Sequence, residues 1–205
     1  MRVAVFGASG RTGILTVYQA LDKGYEVHAF AREAQNVTIR HPKIRVIQGD
    51  ISDYGKVKEA VEGVDGVIVT LGQKGNKPLQ LLSGGTANII KAMKETGVKR
   101  LIVMSSAGIL GNDSHPVFGK VIVPLLMNNI FRDKRRQMEI VSESGLEWVI
   151  IRPPRLTDSP KTGKYQLTEG RPGTRSVPRS DVADFMLKLL TNKKYDGTMP
   201  AIASY

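Results

Sequence analysis

Three glycines spaced three residues apart, Gly7, Gly10 and Gly13, follow an apolar run in the stretch VAVFGASGRTG, residues 3–13. In this pattern the first glycine allows a tight turn, the second lets the backbone approach a pyrophosphate, and the third allows close helix–strand packing. The first N–H groups of a following helix would add partial positive charge for phosphates. The spacing therefore predicts a dinucleotide-binding loop with these contact residues: Gly7, Ser9, Gly10, Arg11, Thr12 and Gly13.

The residue at the end of the second predicted strand favours one dinucleotide over the other. NAD sites usually carry an acidic residue there to bind the ribose 2′-hydroxyl. This chain carries Arg32, and we expect Arg11 in the glycine loop to face the same corner. Two guanidinium groups suit a 2′-phosphate, and Glu33 is expected to point to solvent. The sequence therefore predicts NADP(H).

Further cofactor contacts are expected after the third and fourth strands, because ligands of open α/β sheets lie beyond the carboxyl ends of the strands. Asp50, in the stretch QGDIS, suits either a hydrogen bond to the adenine amino group or a turn, and the spacing leaves both interpretations open. Thr70 and its two successors are expected to pass under the adenosine and ribose. The predicted contacts here are Asp50, Ile51, Leu71 and Gly72.

Short β-branched runs alternate with helix-like stretches along the chain. Strands are predicted at 3–6, 26–32, 43–48, 66–71, 100–105 and 147–152, with a further one at 164–168. Helices are predicted at 13–23, 79–96 and 181–190, with a helical region ending near residue 144. This order predicts buried parallel strands joined by right-handed crossovers. We expect one doubly wound α/β (Rossmann) domain over residues 1–205, with substrate loops at about 106–130 and 153–178.

Composition narrows the function classes. The 205 residues include 41% hydrophobic and 24% charged residues, as in a globular protein, and no cysteine, which excludes disulfides, thiolate nucleophiles and iron–sulfur clusters. The three histidines show no metal-ligand spacing, and no apolar run reaches membrane-spanning length, so a cytoplasmic protein without metal or membrane partner is expected. The net charge of +11 suits phosphorylated cofactors. The basic stretch at 132–136, RDKRR, is short and acid-interrupted, which favours a solvated helix face over a nucleic-acid surface.

The tyrosine–lysine pair that serves most short-chain dehydrogenases is missing from its usual place. The Tyr-x-x-x-Lys spacing occurs at Tyr54 and Lys58, before the fifth strand rather than after it, where an exposed helix turn is expected. The predicted helical region after the fifth strand contains no tyrosine. Alcohol–ketone chemistry is therefore disfavoured. Hydride transfer to an acceptor that takes its proton from solvent remains.

Nearly the whole chain resembles the biliverdin-IXβ reductase/flavin reductase group of atypical short-chain dehydrogenases, close to the NmrA-like NADP-binding proteins. The resemblance rests on FGASGRTG, GYEVHAFAR, VIQGDISD, GVIVTLG, SGGTANIIKAMKETGVKRLIVMSSA, ESGLEWVIIRPPRL, DSPKTGKYQLTEGRPGTR and SDVADFMLKLLT. It implies an NADPH-dependent reductase of flavins (FMN, FAD, riboflavin) and, in animals, of non-α biliverdin isomers. Members are usually monomeric.

By position, the resemblance assigns residues around the nicotinamide. Ser106 matches a serine near the nicotinamide and the acceptor, Pro153 and Pro154 match the segment that closes that side, and Arg175 matches a basic residue at the pocket mouth. Arg155 stands where the animal members carry histidine, which leaves tetrapyrrole specificity open. The resulting set is Ser106 as catalytic residue, Ser105 and Pro153 as cofactor contacts, and Pro154, Arg155 and Arg175 as substrate contacts.

Purely structural interpretations of the same residues are also open. Ser106 could cap a strand end, and Arg155, Arg171 and Arg175 suit a solvated loop as well as phosphate or propionate groups. Two other functions are considered. The missing tyrosine is compatible with an NADP-sensing regulatory protein without turnover, and less compatible with a nucleotide-dependent isomerase or epimerase.

Overall fold

Six short, largely buried strands form a parallel sheet in this computed structural model, which describes residues 1–72, 80–110, 128–170 and 176–205. The strands are β1 Arg2–Phe6, β2 Glu26–Ala31, β3 Ile44–Gln48, β4 Gly66–Val69, β5 Arg100–Met104 and β6 Glu147–Ile151. Their order in the sheet is β3-β2-β1-β4-β5-β6, so the direction of winding changes between β1 and β4. A cleft for a ligand is expected at that point. The predicted doubly wound α/β fold is confirmed.

Within the described residues, five α-helices cover the two faces of the sheet: α1 Arg11–Asp22, α2 Tyr54–Val61, α3 Leu81–Thr96, α4 Asn128–Ser142 and α5 Arg179–Leu189. The alternation of side chains along each strand divides the core in two. Ala4 and Phe6 of β1 pack in the cluster that includes residues of α2, α3 and α4. Val3 and Val5 pack in the cluster formed with α1 and α5.

The C-terminal section adds two small sheets. Strand β7, Arg155–Thr157, pairs in parallel with β9, Ser176–Pro178, so that Thr157 lies opposite Pro178. Strand β8, Tyr165–Thr168, pairs antiparallel with β10, Ala201–Ser204, which confirms the strand predicted at 164–168. A bridge between Arg152 and Ala201 continues this section from the edge of the main sheet.

Helix boundaries differ from the sequence prediction at one functional place. Helix α1 begins at Arg11, not at Gly13, because Gly10 is its N-cap and accepts the Ile14 N–H at 2.8 Å. The third predicted glycine therefore lies inside the first helical turn. The apolar run 117–127 and residue 79 lie outside the described residues. Within the described ranges, no helix is both long and apolar enough to cross a bilayer.

Candidate active site

The glycine loop is a turn whose close contacts leave no space for side chains. Gly7 has φ +83°, and a Cβ there would lie 3.0 Å from Thr70 Oγ1. A Cβ on Gly13 would lie 2.0 Å from the Gly7 carbonyl oxygen, and the Gly10 N–H donates to the same oxygen at 2.9 Å. These contacts bring the first turn of α1, whose N–H groups lack helical acceptors, to the end of β1. The loop therefore offers the cradle that a pyrophosphate requires.

Thr70 fixes this turn from the neighbouring strand. It is buried, and its Oγ1 donates to the carbonyl oxygens of Phe6 at 2.9 Å and Gly7 at 3.2 Å. The next residue, Leu71, is partly buried against the core, whereas Gly72 is exposed with open space around its Cα. Leu71 and Gly72 thus extend from β4 beside the glycine loop, where the cofactor contacts were predicted.

Arg11 lies against the C-terminal section of the chain. Its guanidinium forms an ion pair with Asp158, which follows β7, and Asp158 also accepts from Arg179 at 2.6 Å. The expectation that Arg11 faces the corner of Arg32 stays a prediction. An acidic residue 147 positions along the chain holds the Arg11 guanidinium, because α1 and α5 pack against each other.

Arg32 and Asp50 form the corner beyond β2 and β3. Arg32 is exposed directly after β2. Asp50 Oδ1 accepts from the Ser52 hydroxyl at 2.6 Å and the Ser52 N–H at 2.9 Å. These bonds, and then the positive charge of Arg32, lower the pKa of the Asp50 carboxyl group. Of the two interpretations left open for Asp50, the turn is the one formed here, while Asp53 caps α2.

Ile51 is part of the core. Its side chain lies so close to Gly85 of α3 that a Cβ there would be 2.4 Å from Ile51 Cγ1, and its carbonyl oxygen accepts from Asn88 at 3.0 Å. Ile51 therefore fixes the β3–α2 loop against α3.

A serine–lysine pair lies beyond the carboxyl end of β5. Ser106 Oγ accepts a hydrogen bond from Lys134 Nζ of α4 at 3.1 Å. Burial lowers the pKa of Lys134 to about 8. The neighbouring Ser105 is buried, and its Oγ has no hydrogen-bond partner within the described part of the chain. This edge of the sheet therefore presents a cation and two hydroxyl groups.

The loops after β5 and β6 are tied to each other. The Ala107 N–H donates to the Pro153 carbonyl oxygen at 2.7 Å, and the Ser105 N–H donates to the Ile151 carbonyl oxygen at 2.8 Å. Pro153 is buried, Pro154 is partly buried, and Arg155 is exposed at the start of β7. The structure therefore brings Pro153 and Pro154 to the side of Ser106. The predicted substrate contact Arg175, together with Arg171, lies outside the described residues.

Lys134 is the functional candidate that the sequence reasoning missed. The stretch 132–136 was expected to be a solvated helix face, and this is wrong for two of its members. Asp133 is buried and caps α3, accepting the N–H groups of Leu82 at 2.8 Å and Ser83 at 3.1 Å. The sequence did contain a signal for Lys134. It lies four positions after Ile130, so the pair has the spacing of a Tyr-x-x-x-Lys motif in which isoleucine replaces the tyrosine.

Tyr54 is not the exposed residue that the sequence suggested. Its hydroxyl is buried and its ring lies under Lys91 Nζ, 4.3 Å from the ring centroid. Burial, and then the neighbouring Glu95 carboxylate, raise the pKa of Tyr54 to about 12. The Lys58 ammonium pairs with Glu95 at 3.0 Å. Tyr54 and Lys58 thus belong to the α2–α3 contact, away from the serine–lysine pair.

Comparison with known proteins assigns the family. Residues 7–193 match the model of a family described as NAD(P)H-binding. The chain belongs to this family. The match covers the glycine loop and the five main-sheet strands β2–β6, so it includes the cleft described above. The predicted nicotinamide cofactor is thereby confirmed at the level of NAD(P)H binding.

Two curated relatives illustrate the range of the family. An uncharacterised chloroplastic protein of Arabidopsis thaliana is 26% identical over 208 residues, covering 94% of this chain and 73% of that protein. A 3β-hydroxysteroid dehydrogenase/Δ5→4-isomerase of Mycobacterium tuberculosis is 28% identical over 154 residues. That match covers 69% of this chain and 41% of the enzyme, so the chain spans less than half of its length. The family and these relatives support an NAD(P)H-dependent function of oxidoreductase type.

Solved structures share the architecture. A Rossmann-fold NAD(P)-binding family protein of Shigella flexneri is 27% identical with a TM-score of 0.78, covering 99% of this chain and 93% of that one. A short-chain dehydrogenase/reductase of Veillonella parvula, solved in complex with NADP, is 22% identical with a TM-score of 0.84 and coverages of 99% and 94%. An anaerobillin reductase of Escherichia coli O157:H7 is 24% identical with a TM-score of 0.82 and coverages of 100% and 97%. These last two likenesses show the fold.

Proposed function

We propose that this chain is an NADPH-dependent reductase that transfers hydride to flavins: FMN, FAD and riboflavin. The observation that carries the proposal is the Ser106–Lys134 pair at the carboxyl end of β5, at the same sheet edge as the glycine loop. It supplies polar contacts for a nicotinamide and a flat acceptor. The Ile130 side chain in place of a tyrosine gives no phenol for alcohol–ketone chemistry.

Separate residues of the cleft suit separate parts of the cofactor. The glycine loop and the start of α1 fit a pyrophosphate, because the space that a Cβ of Gly13 would need is already filled by Gly7 and Thr70. Arg32 fits the 2′-phosphate at the β2 corner and gives the preference for NADPH. Leu71 and Gly72 would contact the adenosine and ribose, and Ser105 and Pro153 would contact the nicotinamide.

When bound, NADPH supplies a hydride from its nicotinamide C4. The chain's main contribution is to hold the acceptor in attack geometry, which removes a large entropic part of the barrier. Ser106 accepts from Lys134, so its own O–H is directed away from the ammonium and can donate to the carboxamide or to the acceptor edge. Lys134, with its pKa lowered to about 8, places positive charge where the reduced acceptor gains electron density.

The reduction also consumes one proton, and solvent is its source. Ser106→Ala then removes one neutral hydrogen bond of about 1–1.4 kcal/mol and slows FMN reduction by about five- to tenfold. A loss on the order of a thousand-fold at unchanged NADPH affinity would make Ser106 an obligatory proton relay. That result would contradict the solvent route.

A second class of electron acceptor, the biliverdin-type tetrapyrroles, also suits the site. Arg155, exposed at the start of β7 next to Pro154, suits the propionate groups of biliverdin-type tetrapyrroles, and we include these among the proposed acceptors. Arg175 is proposed as a further contact for such anionic groups. We further propose that the protein is a monomer, which size-exclusion chromatography with light scattering tests.

The rival function is NADP sensing without turnover. The absence of tyrosine from α4, Asn128–Ser142, fits this function too, because binding needs no phenol. NADPH consumption with and without added FMN separates the two. Turnover that requires FMN supports the reductase, and tight NADPH binding without turnover supports the sensor.

A further inference from the structure

Three charged residues meet at the starts of α1 and α5. The register of β7 and β9 pairs Thr157 with Pro178, so the next residues, Asp158 and Arg179, lie side by side. Arg179 donates to Asp158 Oδ1 at 2.6 Å, and Arg11 donates to Asp158 Oδ2. Asp158 therefore lies between two guanidinium groups, one of which belongs to the glycine loop.

The segment that carries Asp158 is fixed to α5. Asp181 is fully buried and accepts from the N–H groups of Thr162 and Gly163, both at 2.9 Å, and from the Thr162 hydroxyl at 2.6 Å. Lys161 pairs with the buried Asp184 at 2.7 Å. Because these contacts follow Asp158 within a few residues, its carboxylate is held next to the glycine loop by the fold.

The two arginines differ in how firmly they are held. The Arg11 side chain is 67% exposed, whereas that of Arg179 is 12% exposed. The two guanidinium groups lie close together because they bind the same carboxylate. Burial, and then the positive charge of Arg11, lower the pKa of Arg179. Arg11 can therefore turn toward solvent or a ligand, while Arg179 stays beside Asp158.

We propose that Asp158 is an internal counter-ion that competes with the phosphate groups of NADPH for Arg11. When NADPH is absent, Asp158 holds the Arg11 guanidinium. When the phosphates arrive, Arg11 moves to them and Asp158 keeps Arg179 as its partner. Asp158 thereby lowers cofactor affinity, and Arg179 lessens that effect by sharing the carboxylate. This inference rests on the proposed function only in requiring that NADPH binds at the glycine loop.

The test is an NADPH titration of the full chain, without flavin, at low ionic strength. Asp158→Asn is expected to tighten NADPH binding by about two- to fivefold, the range that exposed ion pairs support. Asp22→Asn is the matched control, since it makes the same charge change at the far end of α1, about 16 Å from Arg11. It is expected to leave the affinity unchanged. In about 0.5 M salt the gain from Asp158→Asn should disappear.

Arg179→Gln supplies the second arm. Without Arg179, Asp158 has only Arg11 as its partner, so NADPH binding should weaken by about two- to fivefold. In the Asp158→Asn background the same change should have no effect, which a double-mutant cycle measures in the folded proteins. Arg179→Lys keeps the charge and should restore binding.

Other results would overturn the proposal. Weaker or unchanged NADPH binding in Asp158→Asn would show that Asp158 orients Arg11 or has no part in binding. An equal loss from Arg179→Gln in both backgrounds would show that Arg179 contacts the cofactor itself. A chain that binds NADPH but does not reduce FMN would contradict the proposed function alone, because these titrations measure only binding.

Discussion

Gly13→Ala is the most direct structural perturbation of the cofactor loop. The new Cβ would lie 2.0 Å from the Gly7 carbonyl oxygen and 2.8 Å from both the Gly7 carbonyl carbon and Thr70 Oγ1. Two of these atoms are backbone, so no rotamer change relieves the overlap. Overpacking of this kind costs about 3 kcal/mol, and the better helix preference of alanine returns about 1, which leaves a net loss of about 2 kcal/mol.

Urea denaturation measures that loss, and NADPH titration measures its effect on the site. We expect the affinity for NADPH to fall at least about tenfold, because the overlap displaces the helix start from the phosphates. Gly84→Ala is the control: it lies in α3 with no atom within 4 Å of its added Cβ, so stability should rise by up to about 1 kcal/mol at unchanged affinity. A Gly13→Ala protein of wild-type stability and affinity would refute the account of the loop.

Three other substitutions test separate parts of the site. Arg32→Asp should weaken NADPH binding by about one to two decades more than NADH binding, because charge-assisted bonds to the 2′-phosphate are lost; equal losses would contradict this role. Tyr54→Phe should leave FMN reduction unchanged, since the pKa of about 12 keeps the phenol neutral, and a large drop in the turnover of folded protein would require another active site. Lys134→Met should flatten the dependence of the free energy of unfolding on pH. Between about pH 8 and 10.5 the unfolded chain binds more protons at Lys134 than the folded chain does, so the stability of the wild type rises with pH. Thermal melts across that pH range measure the slope. Identical slopes in both proteins would place Lys134 in solvent.

The fold and the glycine loop could be predicted from the sequence because their causes are local. Strand-length apolar runs, helix stops and the spacing of Gly7, Gly10 and Gly13 each act within a few residues. The position of Arg32 at the end of a strand was predictable for the same reason, since it directly follows β2. The family match then confirmed NAD(P)H binding.

The contacts that escaped prediction join distant parts of the chain. Lys134 reaches Ser106 because α4 lies beside the segment that follows β5, where Arg135 also donates to the Ile109 carbonyl oxygen. Asp158 meets Arg11 across 147 positions because β7 and β9 pair in one particular register. No local spacing encodes the contact between Asp158 and Arg11. The one-domain organisation, the monomeric state and the cytoplasmic location stay predictions.

Anaerobic NADPH oxidation with FMN tests the central claim most directly. Without oxygen the reduced flavin accumulates, so cofactor consumption and flavin bleaching are read in the same sample. We predict that the full chain oxidises one NADPH for each FMN reduced, and that the rate without FMN is negligible. NADPH that binds the chain but is not oxidised when FMN, FAD or riboflavin is added would contradict the assignment as a flavin reductase.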